Sequence, residues 1–322
     1  MKVDVIASER HFLDHMQPIY EALPEHMRGI VYHTQQPVKP PVHRNRVAMV
    51  AGWQDVQPLR GLCRMIYVEH GAGQTYQGDP RTAHFPGYSG SGGGRHGGVI
   101  GFIAPNQTVA DRWKTAPAIA VGCPKMAEYH HRPAPTKPPA VCVTFHWPCE
   151  LGPELGTALG HYKKALPEVV ERWKTQGFKV YGHAHPRWDP AIYTVMEGWG
   201  MTPLRTDREV FARAHVLILD NSSLGMEFMS LGRPVVWLNA PQYRRDIHHR
   251  GRFWDWTLGV PTVDEPEQLL TLNLWDVVGW QVPGVVDAKA AQQRHVDDVY
   301  AFNDGTQAVR AADFIAEILA SE

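Results

Sequence analysis

The sequence predicts an α/β protein of two Rossmann-like domains facing each other across a cleft. Three observations predict it. Short, β-branched apolar runs alternate with longer helix-like stretches, the character of strands covered on both faces. A segment at 132–139 holds four prolines in eight residues, which neither a helix nor a central strand tolerates. A second alternating series then begins. With 322 residues the chain is long enough for two cores. The expected organisation is an N-terminal domain over 1–131, a linker over 132–139 and a C-terminal domain over 140–322, whose last helix is free to cross back.

In the first series the runs Val3–Ala7, Ile30–His33, Val47–Ala51, Met65–Val68, Val99–Ile103 and Ala118–Val121 read as strands. In the second, Ala140–Phe145, Lys179–Tyr181, Val216–Leu219 and Val235–Leu238 do so. Leu155 to Gln176 and Leu224 to Leu231 read as helices, and Gln307 to Leu319 as a terminal helix with apolar positions at helical spacing. Residues 87–98 hold seven glycines without the spacing of a nucleotide-binding turn. They read as a mobile loop, either a plain connection or a cleft lid, from which Arg95 and His96 reach a ligand.

Composition excludes several classes. Lys plus Arg number 32 and Asp plus Glu 33, a net charge of −1. Bulk charge therefore gives no drive toward nucleic acid or anionic membrane. The basic cluster Arg244, Arg245, His248, His249, Arg250 and Arg252 is the local exception. Cys63, Cys123, Cys142 and Cys149 lack paired-ligand spacing and read as small hydrophobes of a reducing compartment, not as disulfides or a zinc site. No apolar run approaches the roughly 20 residues of a membrane span. The amino terminus enters a strand at once, so the expected location is cytoplasmic.

Three places carry chemistry. His70-Gly71 ends the run Arg64 to Glu69, and in an open α/β sheet the carboxyl ends of strands open into the ligand crevice. An imidazole there can exchange a proton near neutral pH, although a histidine that merely caps a loop gives the same pattern. Gly71 and Gln74 follow it toward the expected cleft. The second place is Tyr181-Gly182-His183-Ala184-His185-Pro186-Arg187. His183 and His185 share a face on extended chain, but no third ligand accompanies them. Phosphate recognition by His185 with Arg187 suits the residues better, since both offer donors to an anion. The third is Asp220-Asn221-Ser222-Ser223, between a buried strand and a helix that includes Glu227. Hydroxyls and free N–H groups at a helix start cap the helix, hold an anion, or do both.

These landmarks resemble, in order, those of the CDP-glycerol glycerophosphotransferases, teichoic-acid polymerases and primases of GT-B fold. His70-Gly71 resembles the HG motif, and Val121-Gly122-Cys123-Pro124-Lys125 the GYPR turn. His185-Pro186 resembles HP, Asp220-Asn221-Ser222-Ser223 resembles DYSS, and Gly232-Arg233-Pro234-Val235 resembles GKPV. Tyr243 with Arg250 to Asp255 resembles the Y…RGFYFD stretch, and Asp304-Gly305 with Ala308 the DGKAS start of the closing helix. The chain departs from the family where Ala72-Gly73-Gln74-Thr75 follow the HG pair and where Asn221 replaces a tyrosine.

The resemblance implies that His70 is the base deprotonating an acceptor hydroxyl. His185, Ser222 and Ser223 would hold the donor diphosphate, with Asp220 shaping their loop. It also implies a nucleotide-diphosphate-activated donor as substrate, no tightly bound cofactor, and a hydroxyl-bearing acceptor: a polyol phosphate, a glycan or a modified nucleobase. A GT-B glycosyltransferase using a nucleotide sugar stays open. So does a binding module for anions or nucleic acid built on Arg244 to Arg252.

Overall fold

The computed structural model describes residues 1–33, 46–70, 98–130, 135, 138–149, 156–243 and 259–321. They fall into two units, Met1–Arg132 with Asp297–Glu322, and Pro133–Val296. The first unit begins with β1 (Val3–Ala7), α1 (Arg10–Ala22), β2 (Arg28–His33), β3 (Val47–Val50), α2 (Trp53–Leu59) and β4 (Arg64–Val68). It continues with β5 (Val99–Ala104), α3 (Gln107–Arg112) and β6 (Ala118–Ala120). The six strands form one parallel sheet in the order β2-β1-β3-β4-β5-β6.

The second unit runs β7 (Ala140–Phe145), α4 (Leu159–Tyr162), α5 (Leu166–Thr175), β8 (Lys179–Ala184), α6 (Ala191–Gly198) and β9 (Thr202–Pro203). It goes on through α7 (Asp207–Arg213), β10 (Val216–Leu219), α8 (Leu224–Ser230), β11 (Val235–Leu238) and β12 (Thr262–Val263), then α9 (Pro266–Thr271), α10 (Leu274–Val278) and α11 (Ala288–Val299). Its parallel sheet has the order β12-β11-β10-β7-β8-β9. The chain closes with α12 (Gln307–Ala320), which packs on α1 and β5 of the first unit.

Local chemistry explains these elements. The central strands β3, β7, β10 and β11 are buried along their whole length, so continuous apolar runs form them. The second core gathers Trp173, Phe145 and Val143 with Leu166, Val169 and Val170 of α5. The first joins Phe12, Met16 and Ile19 of α1 to Phe314, Ile315 and Ile318 of α12. Gly101 on β5 permits that contact. A Cβ there would lie 2.5 Å from Ile318 Cδ1 and 2.9 Å from Ile66 Cδ1.

Three details differ from expectation. The helix expected through Leu155–Gln176 is two helices, because Pro167 sits in the first turn of α5 and starts a new helix there. Strand β8 runs on to Ala184, since Ala140 to Phe145 of β7 pair with all six of its residues. Gly182 and His183 dilute the apolar signal of that half. The edge strands β9 and β12 have two residues each, too short for alternation to show. Cys63, Cys123 and Cys142 are buried and unbridged, and burial pushes the Cys63 thiol up to about 11. Among the described residues no helix is long and apolar enough to cross a membrane.

Candidate active site

A parallel sheet whose strand order reverses opens a crevice at the carboxyl ends flanking the reversal. In the second sheet β8 and β9 lie on one side of β7, and β10 to β12 on the other. The reversal falls between β7 and β10, and Asp220 stands there at the end of β10. Its Oδ1 accepts the His146 N–H at 2.7 Å, and its Oδ2 accepts Ala158 N–H at 2.8 Å and Thr157 Oγ1–H at 3.0 Å. One carboxylate thus ties together the ends of two strands and the approach to α4. Asp220 is 1% exposed, and burial raises its pKa to about 6 against the pull of those hydrogen bonds.

His146 carries this anchoring to β8. Its carbonyl accepts the Trp188 indole N–H at 2.8 Å, so both of its backbone polar groups are held. Its ring meets that of His185 at 5.0 Å, edge to face. His185 is half-buried, and its Nδ1 accepts the Arg187 N–H at 3.1 Å. In the neutral ring the proton is therefore on Nε2. The exposed Arg187 places its guanidinium 5.1 Å from the centre of the Trp147 ring.

Ser222 and Ser223 follow Asp220 after the buried Asn221, and both are half-buried. The Ser222 hydroxyl accepts the Leu224 N–H at 3.3 Å, whereas Ser223 makes no cap bond at the head of α8. Ser223 is therefore the N-cap by position, and the Ser222 hydroxyl closes a local turn just ahead of the helix. Glu227 is buried within α8. His183 has a different setting from His185. It is 2% exposed within β8, with Nδ1 at 2.7 Å from Thr144 Oγ1 and Nε2 at 3.3 Å from Asp207 Oδ1. That buried chain ties β7, β8 and the start of α7.

The first sheet reverses between β1 and β3, and β4 is the neighbour of β3. Glu69 and His70 follow β4, and the His70 N–H reaches Glu69 Oε1 at 3.2 Å. The His70 ring stands edge-on to Phe12 at 4.6 Å, with the rings of His11 and His15 at 6.1 and 6.3 Å. His11 Nδ1 lies 3.4 Å from Glu9 Oε2, and Gln54 Nε2–H donates to Glu9 Oε1 at 2.6 Å. Asp55 accepts the Ser8 N–H at 3.2 Å, and burial holds its carboxyl above the usual range. Gly52 makes room for Phe12, since a Cβ there would lie 2.3 Å from Phe12 Cε2.

The structure thus brings His185, Arg187 and Asp220 together in the second unit, with Ser222 and Ser223 next in chain. It sets His70 in an imidazole-rich cluster of the first. Gly71, Gln74, Arg95, His96 and Arg250 lie outside the described residues, as do 87–97 of the glycine loop and the basic cluster. Sequence reasoning passed over His146, Trp147 and Trp188, and over Glu9 and His11. The signal was present, because His146 and Trp147 directly follow the strand Ala140–Phe145 and Glu9 and His11 follow Val3–Ala7. The carboxyl-end rule that singled out His70 applies equally to them.

No family model matches the chain, and no curated protein does. Among solved structures, the wall teichoic acid polymerase TagF is similar at a TM-score of 0.64 and 14% identity, over 99% of this chain and 89% of that chain. MnaA of S. aureus, in a co-structure with UDP, is similar at a TM-score of 0.61 and 12% identity, over 99% and 97%. A UDP-GlcNAc 2-epimerase from Neisseria meningitidis bound to UDP-GlcNAc follows at 0.51 and 11%, over 100% of each chain. At such identities the likeness speaks to the fold. The chain has the GT-B-type architecture of two α/β units, each built on six parallel strands.

Proposed function

We propose that the chain is a transferase using a nucleoside-diphosphate-activated donor, CDP-glycerol or a related CDP-polyol, to modify an acceptor hydroxyl. The observation that carries this reading is the group at the strand-order reversal of the second sheet. There Asp220 fixes His146, His146 packs on His185, and Arg187 and the half-buried Ser222 and Ser223 add donors. Donors of this kind suit a diphosphate. The fold likeness to TagF, which has been solved with CDPG, supports the donor class.

In the proposed reaction His70 takes the proton of the acceptor hydroxyl. The oxygen attacks the phosphorus on the polyol side, its bond to the bridging oxygen breaks, and CMP departs with the electron pair. His185, Arg187 and the serines stabilise the charge that builds on the departing phosphate. The donor enters as a substrate. The acceptor is a polyol phosphate, a glycan or a modified nucleobase.

The test separates binding from chemistry. His70→Ala is expected to keep nucleotide binding and to lose turnover by about 10²–10⁴-fold. Turnover that survives the substitution removes His70 as the base. A thermal-shift screen of CDP, UDP and GDP species fixes the donor, and stabilisation by a nucleotide sugar alone favours the glycosyltransferase reading.

A further inference from the structure

We infer that His146 is a positioning residue that holds His185 as a neutral Nε2–H donor toward the donor diphosphate. The inference rests on the reading of His185 as a phosphate ligand and adds the device that aims it. The Arg187 amide already donates to Nδ1 of His185 at 3.1 Å, which selects the tautomer with its proton on Nε2. A hydrogen bond to Nδ1 fixes one atom but leaves the ring free to tilt about it.

His146 supplies the second restraint. Its ring lies 5.0 Å from that of His185 at an interplanar angle of 61°. It is 5% exposed, so it reaches a ligand through His185 and not on its own. Both backbone polar groups of His146 are pinned, the N–H by Asp220 Oδ1 at 2.7 Å and the carbonyl by Trp188 Nε1 at 2.8 Å. Trp147 flanks the same ring at 6.3 Å. Residues from β7, β8 and β10 thus converge on one half-buried imidazole.

A proton on Nδ1 would turn the Arg187 N–H contact from attraction into a clash of two donors. The arrangement therefore works with a neutral ring. Among the described residues, the charged groups on the neighbouring elements include Arg187 after β8, Asp220 at the end of β10, which holds the His146 N–H, and Asp207, which starts α7 and faces His183. Nucleotide binding should accordingly hold or strengthen as pH rises from 6 to 8. A site that relied on imidazolium would weaken over the same range.

The experiment combines ¹⁵N-histidine NMR with calorimetric binding of CDP, on the full chain and on His146→Gln, Trp188→Phe and His185→Gln. In the wild type at neutral pH, His185 is expected to show one pyridine-like Nδ1 and one pyrrole-like Nε2. His146→Gln should keep that tautomer, which the Arg187 amide selects, and weaken CDP binding about tenfold, the effect of losing one well-aimed bond to a charged group. Trp188→Phe keeps the ring contact and removes only the carbonyl anchor, so it should give a smaller loss even if His146→Gln folds poorly. Wild-type CDP affinity in both variants would overturn the inference, as would CDP binding that falls steeply from pH 6 to pH 8. If His185→Gln binds CDP as the wild type does, the phosphate-ligand reading itself fails. Loss confined to His185→Gln defeats only the positioning role.

Discussion

Asp220 is a carboxylate buried to 1% exposure that accepts three hydrogen bonds from two backbone amides and a threonine hydroxyl. Its bonds favour the charged form and its burial opposes it, with burial the larger effect, so the folded pKa stands near 6 against an ordinary 3.8. The sign follows from proton binding. Between 3.8 and about 6 the folded state binds the proton that the unfolded state has released, so this group's contribution to stability falls as pH rises through that window. Asn at the same place keeps an acceptor and never titrates. The stability of the wild type relative to Asp220→Asn is expected to fall by roughly 2 kcal/mol between pH 4 and pH 7. Urea denaturation of both proteins across that range measures it, and a difference that stays flat means that Asp220 does not titrate there. Asp220→Ala also leaves two backbone amides without their acceptor, so it should be the less stable substitution, by about 1–3 kcal/mol.

Between strand and turn, a single glycine decides whether an element can form. Gly122 follows β6 at φ +85°, and its N–H donates to the Pro105 carbonyl at 3.1 Å. A Cβ there would lie 2.1 Å from the Phe302 carbonyl oxygen, a backbone atom that cannot swing aside. Conformation and space both demand glycine. Gly122→Ala is expected to cost roughly 2–4 kcal/mol, read as a lower midpoint in urea. Gly232→Ala is the control. It has φ +69° but open space around it, so it should cost only the conformational part, about 1–2 kcal/mol. Equal losses at the two sites would show that the Phe302 contact is relieved by a small backbone shift.

At the scale of the molecule, the first unit is built from both ends of the chain. Ala311, Phe314, Ile315 and Ile318 of α12 complete the core that β1 and α1 begin. One Phe and two Ile side chains contribute roughly 5–9 kcal/mol by burial, comparable to the whole stability of a domain. A chain ending at Asn303 is therefore expected to lose the first unit and keep the second. Hydrogen exchange by mass spectrometry should show strands β1 to β6 unprotected and β7, β8, β10 and β11 still protected. Protection retained in β1 and β3 would mean that the first core stands without its last helix.

Much of this was legible in the sequence. Val3–Ala7, Ala140–Phe145, Val216–Leu219 and Val235–Leu238 are strands from end to end where the apolar runs place them, because a strand buried on both faces is apolar along most of its length, with Asp4 and Thr144 the buried polar exceptions. A serine at the head of α8 follows from the same kind of local rule. Other features depend on residues far apart in sequence. Asp220 reaches His146 across 74 positions and Thr157 across 63, and no pattern within either segment announces that bond. His183 and His185 look equivalent in sequence, yet one is enclosed between Thr144 and Asp207 while the other stands half-open beside His146. Periodicity and turn chemistry are local and so set the elements and the strand ends. Strand order and long-range hydrogen bonds decide which of those ends meet, and only the folded chain contains that information.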